Sequence, residues 1–320
     1  MIILEIDYTT TLEFDSPVTD HYFLLRCVPV SRDGQTVVSR NLVVAPETQL
    51  VTSKDIFGNT SYQGRIDFPH ASFSFHSTAT VIVDREKGCR ESCLPLYKYN
   101  TPLTRCSELM KKFLHSVFRD NILEVSVKNK MVRNCNMPLV AELLMSAIHE
   151  RVEYVPGSTC VTTTAAEAFG AGRGVCQDYS HIFCSLCREA GIPARYVAGT
   201  SRGEGSTHAW AEYFVPDEEY VSNDGAAMEG RWFGIDCTRN RKVDDSYVSL
   251  ACGRDYLDCK VDGGIFRGMT DQRMTVFVKT NEKEIRKNQD GTEKRKTLLN
   301  SENLEEQIKM LKLNNQQQQM

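Results

Sequence analysis

The side chains able to do chemistry gather in one stretch, Gly172 to Asn240, of a 320-residue chain. Cys176 follows Gly172-Arg173-Gly174-Val175 and opens a helical run. A thiol attacks as its thiolate and needs help to ionise. A helix N-terminus supplies that help through its macrodipole, and its first-turn N–H groups are free to donate to an oxyanion. The preceding glycines allow a sharp turn and a close approach by substrate. His208 begins the strand His208-Ala209-Trp210-Ala211-Glu212-Tyr213, where alternation puts His208, Trp210 and Glu212 on one face. Asp236 ends the strand Trp232-Phe233-Gly234-Ile235-Asp236. Antiparallel pairing of these strands would set Asp236 beside His208, where a carboxylate fixes the tautomer and stabilises the imidazolium. The trio has the makings of acyl transfer through a thioester at Cys176, with His208 as base and Asp236 orienting it.

Elements must hold these groups in place. A helix is expected from about Cys176 to Ala190, stopped by Gly191-Ile192-Pro193. Strands ARYVAGT, THAWAEYFV and RWFGIDCT follow, an α+β arrangement. Residues 1–85 read as a small all-β, sandwich-like domain, with TTTLEFD, HYFLLRCVPV, TVVSRNLVVAP, YQGRIDF and ASFSFHSTATVIVD as strands. Residues 86–105, with Gly88, Pro95 and Pro102, read as a linker. Residues 106–280 form the catalytic core. Leu109, Phe113 and Val117 mark one helix there, and Pro138 opens a second. Thr162 to Thr164 cap a third, and a last strand, Met274 to Thr280, is expected to return to the first module. Residues 281–320 read as a polar tail, disordered or partly helical, with Leu304, Ile308 and Leu311 on one face.

Composition narrows the partners. A net charge of -4 gives no reason to expect nucleic acid or an anionic membrane. No run approaches the ~18 apolar residues that span a bilayer. The start, MIILEIDYTTTLEF, lacks the basic region of a signal peptide, so a cytoplasmic location is expected. Twelve cysteines then read as free, mostly buried thiols. Cys184 and Cys187 form a CxxC pair inside the helix without a second metal-spaced pair, and Cys89 with Cys93 is equally weak, so no metal is assigned. Asp217-Glu218-Glu219 reads as solvated surface rather than a calcium site. No cofactor is implied, and nothing signals an oligomeric state. Asp178 is expected to cap the helix rather than to catalyse. Trp210 is read as a cleft wall or a core aromatic, and Arg195 with Tyr196 as a support for the helix–strand junction. Arg254-Asp255-Tyr256 is read as packing on the catalytic face or as a solvated charge pair.

The segment GRGVCQDYSHIFCSLCREAGIPARYVAGT resembles the core of bacterial transglutaminase-like proteins. THAWAEYFVP and WFGIDCTRN resemble that family's histidine and aspartate segments, and SYVSLACGRDYLDCKVDGGIFRG the stretch after them. KDIFGNTSYQGRIDFPH is similar to its N-terminal β module, so the likeness covers most of residues 1–280. The resemblance implies a papain-like α+β core after a small all-β domain, with Cys176 as nucleophile, His208 as base and Asp236 as orienting acid. The chain departs from the family where Cys237-Thr238 replaces a Pro-Thr pair, and its His–Asp loop, Pro216 to Gly230, lacks the usual Gly-Trp.

A triad alone does not choose the acyl acceptor. Water would make a cysteine peptidase or amidase acting on a peptide or protein, the favoured expectation. A lysine amine would make a cross-linking protein-glutamine γ-glutamyltransferase. A catalytically silent peptide- or protein-binding scaffold is the alternative of another class, and retention of all three residues argues against it. An arylamine acetyltransferase uses a similar triad, but its wider pattern is missing.

Overall fold

One 24-residue strand, Ile2–Leu25, opens the chain and forms the spine of an eight-stranded sheet. The computed structural model describes residues 1–120, 137–217 and 227–283. The expected tail helix and most of the acidic Pro216 to Gly230 loop lie outside these residues. TTTLEFD and the first half of HYFLLRCVPV, His21 to Leu25, expected in two strands, are parts of this single spine, which changes partners midway. Its first half lies between His70–Val83 and Gln272–Glu282. Its second half lies between Thr60–Ile66 and Asp262–Arg267. The register breaks between Glu13 and Val18, and Asp20 turns with φ 47°. Alternation along the spine buries Leu4, Ile6, Tyr8, Phe14 and Phe23 on one side.

The first module thus takes strands from far along the chain. The last strand, Gln272–Glu282, pairs with the spine from Leu4 to Phe14. Met1–Glu282 accordingly forms one compact unit. The segment 86–105 is packed rather than loose: Cys89, Cys93, Tyr97, Leu103 and Thr104 are buried, and Cys89–Arg90 adds a short strand to the second sheet.

That second, six-stranded sheet positions the chemistry. Its order is Arg241–Lys242, Gly230–Asp236, His208–Pro216, Ala194–Ser201, Tyr247–Gly253. Against it packs the helix Cys176–Glu189. The helices Glu108–Asp120, Met137–Arg151 and Ala165–Ala171 cover the other side. The central helix is therefore buried nearly all round, with Tyr179, Ile182, Phe183, Cys184, Leu186 and Cys187 among its buried side chains. Two of its buried polar side chains, Arg188 and His181, bond to backbone outside the helix. The Arg188 guanidinium donates to the carbonyls of Tyr97, Ala194 and Arg254 and to Thr104 Oγ1. Tyr256 N–H donates to His181 Nε2 at 3.0 Å. Arg254 pairs with Asp258, and Asp255 caps the short helix Tyr256–Cys259. The Arg254-Asp255-Tyr256 run thus braces the central helix through backbone contacts. Helix on antiparallel sheet makes the protein α+β.

Candidate active site

Cys176 is the first residue of the central helix, and the chain before it is shaped to put it there. Gly172 has φ 67°, the left-handed C-cap of the preceding helix, whose other end Thr164 closes with a capping box through Glu167. A side chain on Gly174 would sit 2.7 Å from Asp178 Cβ, so only glycine fits. Asp178 folds back to accept from Val175 N–H at 2.8 Å and Thr159 Oγ1 at 2.6 Å, the capping role expected of it. Burial holds its carboxyl above the ordinary range against those bonds. The loop carrying Thr159 also places the Val161 carbonyl 3.4 Å from Gln177 Nε2, so it frames the helix start.

The strand register brings the other two residues together. Ala211 lies opposite Ile235, so the next same-face neighbour diagonal to His208 is Asp236. His208 Nε2 donates to Asp236 Oδ2 at 2.8 Å. That leaves Nδ1 free of Asp236, and Cys176 is near enough for its charge to act on the ring. Burial works against the imidazolium, yet Asp236 and then Cys176 outweigh it and hold His208 up to about 9. Asp236 is fully buried. Burial disfavours its charge, but the His208 bond, the His208 charge and the Tyr247 bond keep it below the usual carboxylate range. The three expected residues therefore meet.

Behind Asp236 lies a contact with no signature in the sequence. Tyr247 O–H donates to the same Oδ2 at 2.7 Å, and Arg239 N–H donates to Oδ1 at 3.2 Å. Trp210 is wholly buried, edge-on to Tyr247 with centroids 5.3 Å apart, and so is a core aromatic rather than a cleft wall. Nothing in the spacing of Asp236 and Tyr247 signals the contact, because two strands separate them in the sheet. Also unforeseen is a buried ion network beneath the sheet. Arg195 bonds Glu212 at 2.7 Å and Glu91 at 2.6 Å, with Arg85 and Arg32 as further cations at 3.6 and 3.5 Å. Burial disfavours the Glu91 charge, but Arg195 and Arg32 hold its carboxyl down to about 2. Arg85, through Glu212, thus ties the first module to the His208 strand, and Arg32 reaches the same network through Glu91.

The remaining thiols divide sharply. Burial pushes Cys184 up to about 11 and Cys187 and Cys237 well above the ordinary thiol range. Cys237, the substitute for the family's proline, is buried, and its carbonyl accepts from His149 Nδ1 at 3.0 Å. Among the described cysteines Cys160 alone is exposed, and the Thr162 and Thr163 hydroxyls bring it down to about 7. Among the described residues no three His, Cys, Asp or Glu side chains converge as metal ligands. A cavity of about 810 Å³ lies away from the triad, between the modules, lined by Arg85, Glu212, Phe233, Arg241 and Asp244.

A helix-borne thiol facing a His–Asp pair on an antiparallel sheet defines the papain-like class of fold. Residues 126–225 match the transglutaminase-like superfamily, a span that includes Cys176 and His208, and residues 4–82 match the bacterial transglutaminase-like N-terminal region. The chain belongs to the transglutaminase-like superfamily. A protein of Mycobacterium leprae is 24% identical over 288 residues, covering 86% of this chain and 98% of that one. A protein-glutamine gamma-glutamyltransferase of Pseudomonas aeruginosa is 34% identical over 100 residues, 27% of this chain and 15% of its own length. A crystal structure from Cytophaga hutchinsonii, of a proposed cysteine protease, superposes with a TM-score of 0.64 at 20% identity, covering 88% of this chain and 91% of that one.

Proposed function

We propose that the protein catalyses thiol-dependent acyl transfer, with hydrolysis of a peptide, isopeptide or amide bond in a peptide or protein as its reaction. The observation that carries this reading is the 2.8 Å bond from His208 Nε2 to a buried Asp236, with Cys176 at a helix N-terminus near enough to act electrostatically on the same ring. The Cys176 proton passes to His208 Nδ1, and the thiolate adds to the carbonyl carbon. The Cys176 N–H, which has no intrahelical acceptor in the first turn, donates to the oxyanion. Collapse breaks the C–N bond as His208 returns its proton to the leaving amine. Water then attacks the thioester, His208 takes its proton, and the thiolate leaves.

Lysine amine as acceptor is the second reading, and the Pseudomonas aeruginosa likeness favours it. A reducing, cytoplasmic setting suits either one, since the eleven described cysteines are free. The test incubates wild type and Cys176→Ala with peptides, isopeptides and a primary amine and follows products by mass spectrometry. Hydrolysis lost by at least about 10³-fold in the variant is expected. Amine incorporation in place of hydrolysis would move the assignment to cross-linking. Activity retained in Cys176→Ala would remove the nucleophile, and no turnover with no acyl-enzyme would leave the binding-scaffold alternative.

A further inference from the structure

The carboxylate that orients His208 is itself held by a second donor on the same oxygen. Asp236 Oδ2 accepts from His208 Nε2 at 2.8 Å and from Tyr247 O–H at 2.7 Å. The direction of the tyrosine bond is fixed by its other partners. Arg241 Nε and Arg239 Nη1 reach the Tyr247 oxygen at 2.9 and 3.2 Å, and guanidinium can only donate. The one hydroxyl proton must therefore point at Asp236. Both guanidiniums also lie over the ring, 5.1 and 5.7 Å from its centroid. Two cations on the oxygen polarise the O–H and make it a stronger donor.

We propose that Tyr247 is a positioning residue that sets the proton affinity of His208, by competing with its imidazole for Asp236 Oδ2, with Arg239 and Arg241 tuning the competition. A buried carboxylate with the imidazole as its main donor would hold the imidazolium proton too tightly to deliver it to a leaving amine near neutral pH. A second donor on the shared oxygen weakens that grip while keeping the ring in place. Burial and the Asp236 charge push the Tyr247 phenol up to about 12, so it stays a neutral donor across the working range. The groups facing His208 are Cys176 from the helix, Asp236 from the adjacent strand, and beyond them Tyr247 and Arg239 from the strand and turn that follow. The proposal rests on the assignment of His208 as the base of Cys176.

Its test needs no substrate. The chain has seven histidines, so ring C–H resonances can be titrated by NMR, with His208→Gln assigning the signal. Tyr247→Phe keeps the ring against Trp210 and deletes only the oxygen. The His208 titration is expected to rise by about half a unit or more, and the basic limb of kcat/KM to move with it. Arg241→Gln, at a largely exposed side chain, should move it the same way by less, and it carries the test if Tyr247→Phe does not fold. An unmoved or lowered His208 titration in a folded variant overturns the proposal. If wild type turns over no amide and His208 still shifts, the tyrosine assignment stands and the acyl-transfer reading alone falls.

Discussion

Asp236→Asn isolates the charge that the fold places behind the base. The substitution keeps the size of the side chain and removes one negative charge from a site with no solvent exposure. His208 sits at about 9, against an ordinary 6.5. At about 1.4 kcal/mol per pKa unit, that elevation corresponds to a net of about 3 kcal/mol favouring the imidazolium, what remains of the Asp236 and Cys176 interactions after burial has opposed them. Burial pulls the other way, so without the carboxylate charge His208 should fall to or below its ordinary value. The imidazolium then ceases to dominate at pH 7, and the rate should drop about 10²–10⁴-fold. Stability gives an independent reading. A histidine whose folded pKa is raised contributes stability that is fully present below 6.5 and is lost as pH rises through about 9. Denaturant midpoints of wild type and Asp236→Asn should therefore differ most at pH 6 and converge by pH 10. A gap that stays constant over that range would refute the claim that the Asp236 charge is spent on protonated His208.

Gly199→Ala should be costly, because a Cβ there would lie 2.2 Å from the Val248 carbonyl and 2.5 Å from the Trp210 ring; a loss of about 2–4 kcal/mol is expected by denaturant melting. Arg188→Met should destabilise by about 2–3 kcal/mol, since it strips donors from three backbone carbonyls; an unchanged melt would show that water replaces them. In the first module, burial and then the His70 charge hold His21 down to about 4, so it folds neutral and its contribution is lost as pH falls from 6.5 through 4. His21→Phe should flatten that acid limb of the stability curve, and an identical limb would assign the loss elsewhere. Among the described cysteines, alkylation by iodoacetamide should label two fast near neutral pH, Cys176 and the exposed Cys160, and of these His208→Ala should slow only Cys176.

The local pieces of this protein are legible in its residues. Gly172 and Gly174 before Cys176, and Gly191 with Pro193 after it, punctuate a helix through backbone geometry that acts over a few residues. Alternation in His208–Tyr213 assigns faces in the same local way, and pairing of adjacent strands was enough to place Asp236 beside His208. Where distant segments must meet, such signals are silent. The spine Ile2–Leu25 was read as two strands because nothing in its own residues tells that Asp262–Arg267 and Gln272–Glu282 will flank it. The five charges joining Arg32, Arg85, Glu91, Arg195 and Glu212 look like ordinary surface residues until the first module covers them. Tyr247 follows Asp236 closely in sequence, yet it belongs to a strand on the far side of Ala194–Ser201. Gly199, with no side chain, leaves room for the Trp210 ring, and Tyr247 packs edge-on against that ring as it reaches the carboxylate. Only the order of strands in the tertiary structure decides that contact, because sheet order depends on which faces can be buried together rather than on any residue's neighbours in the chain.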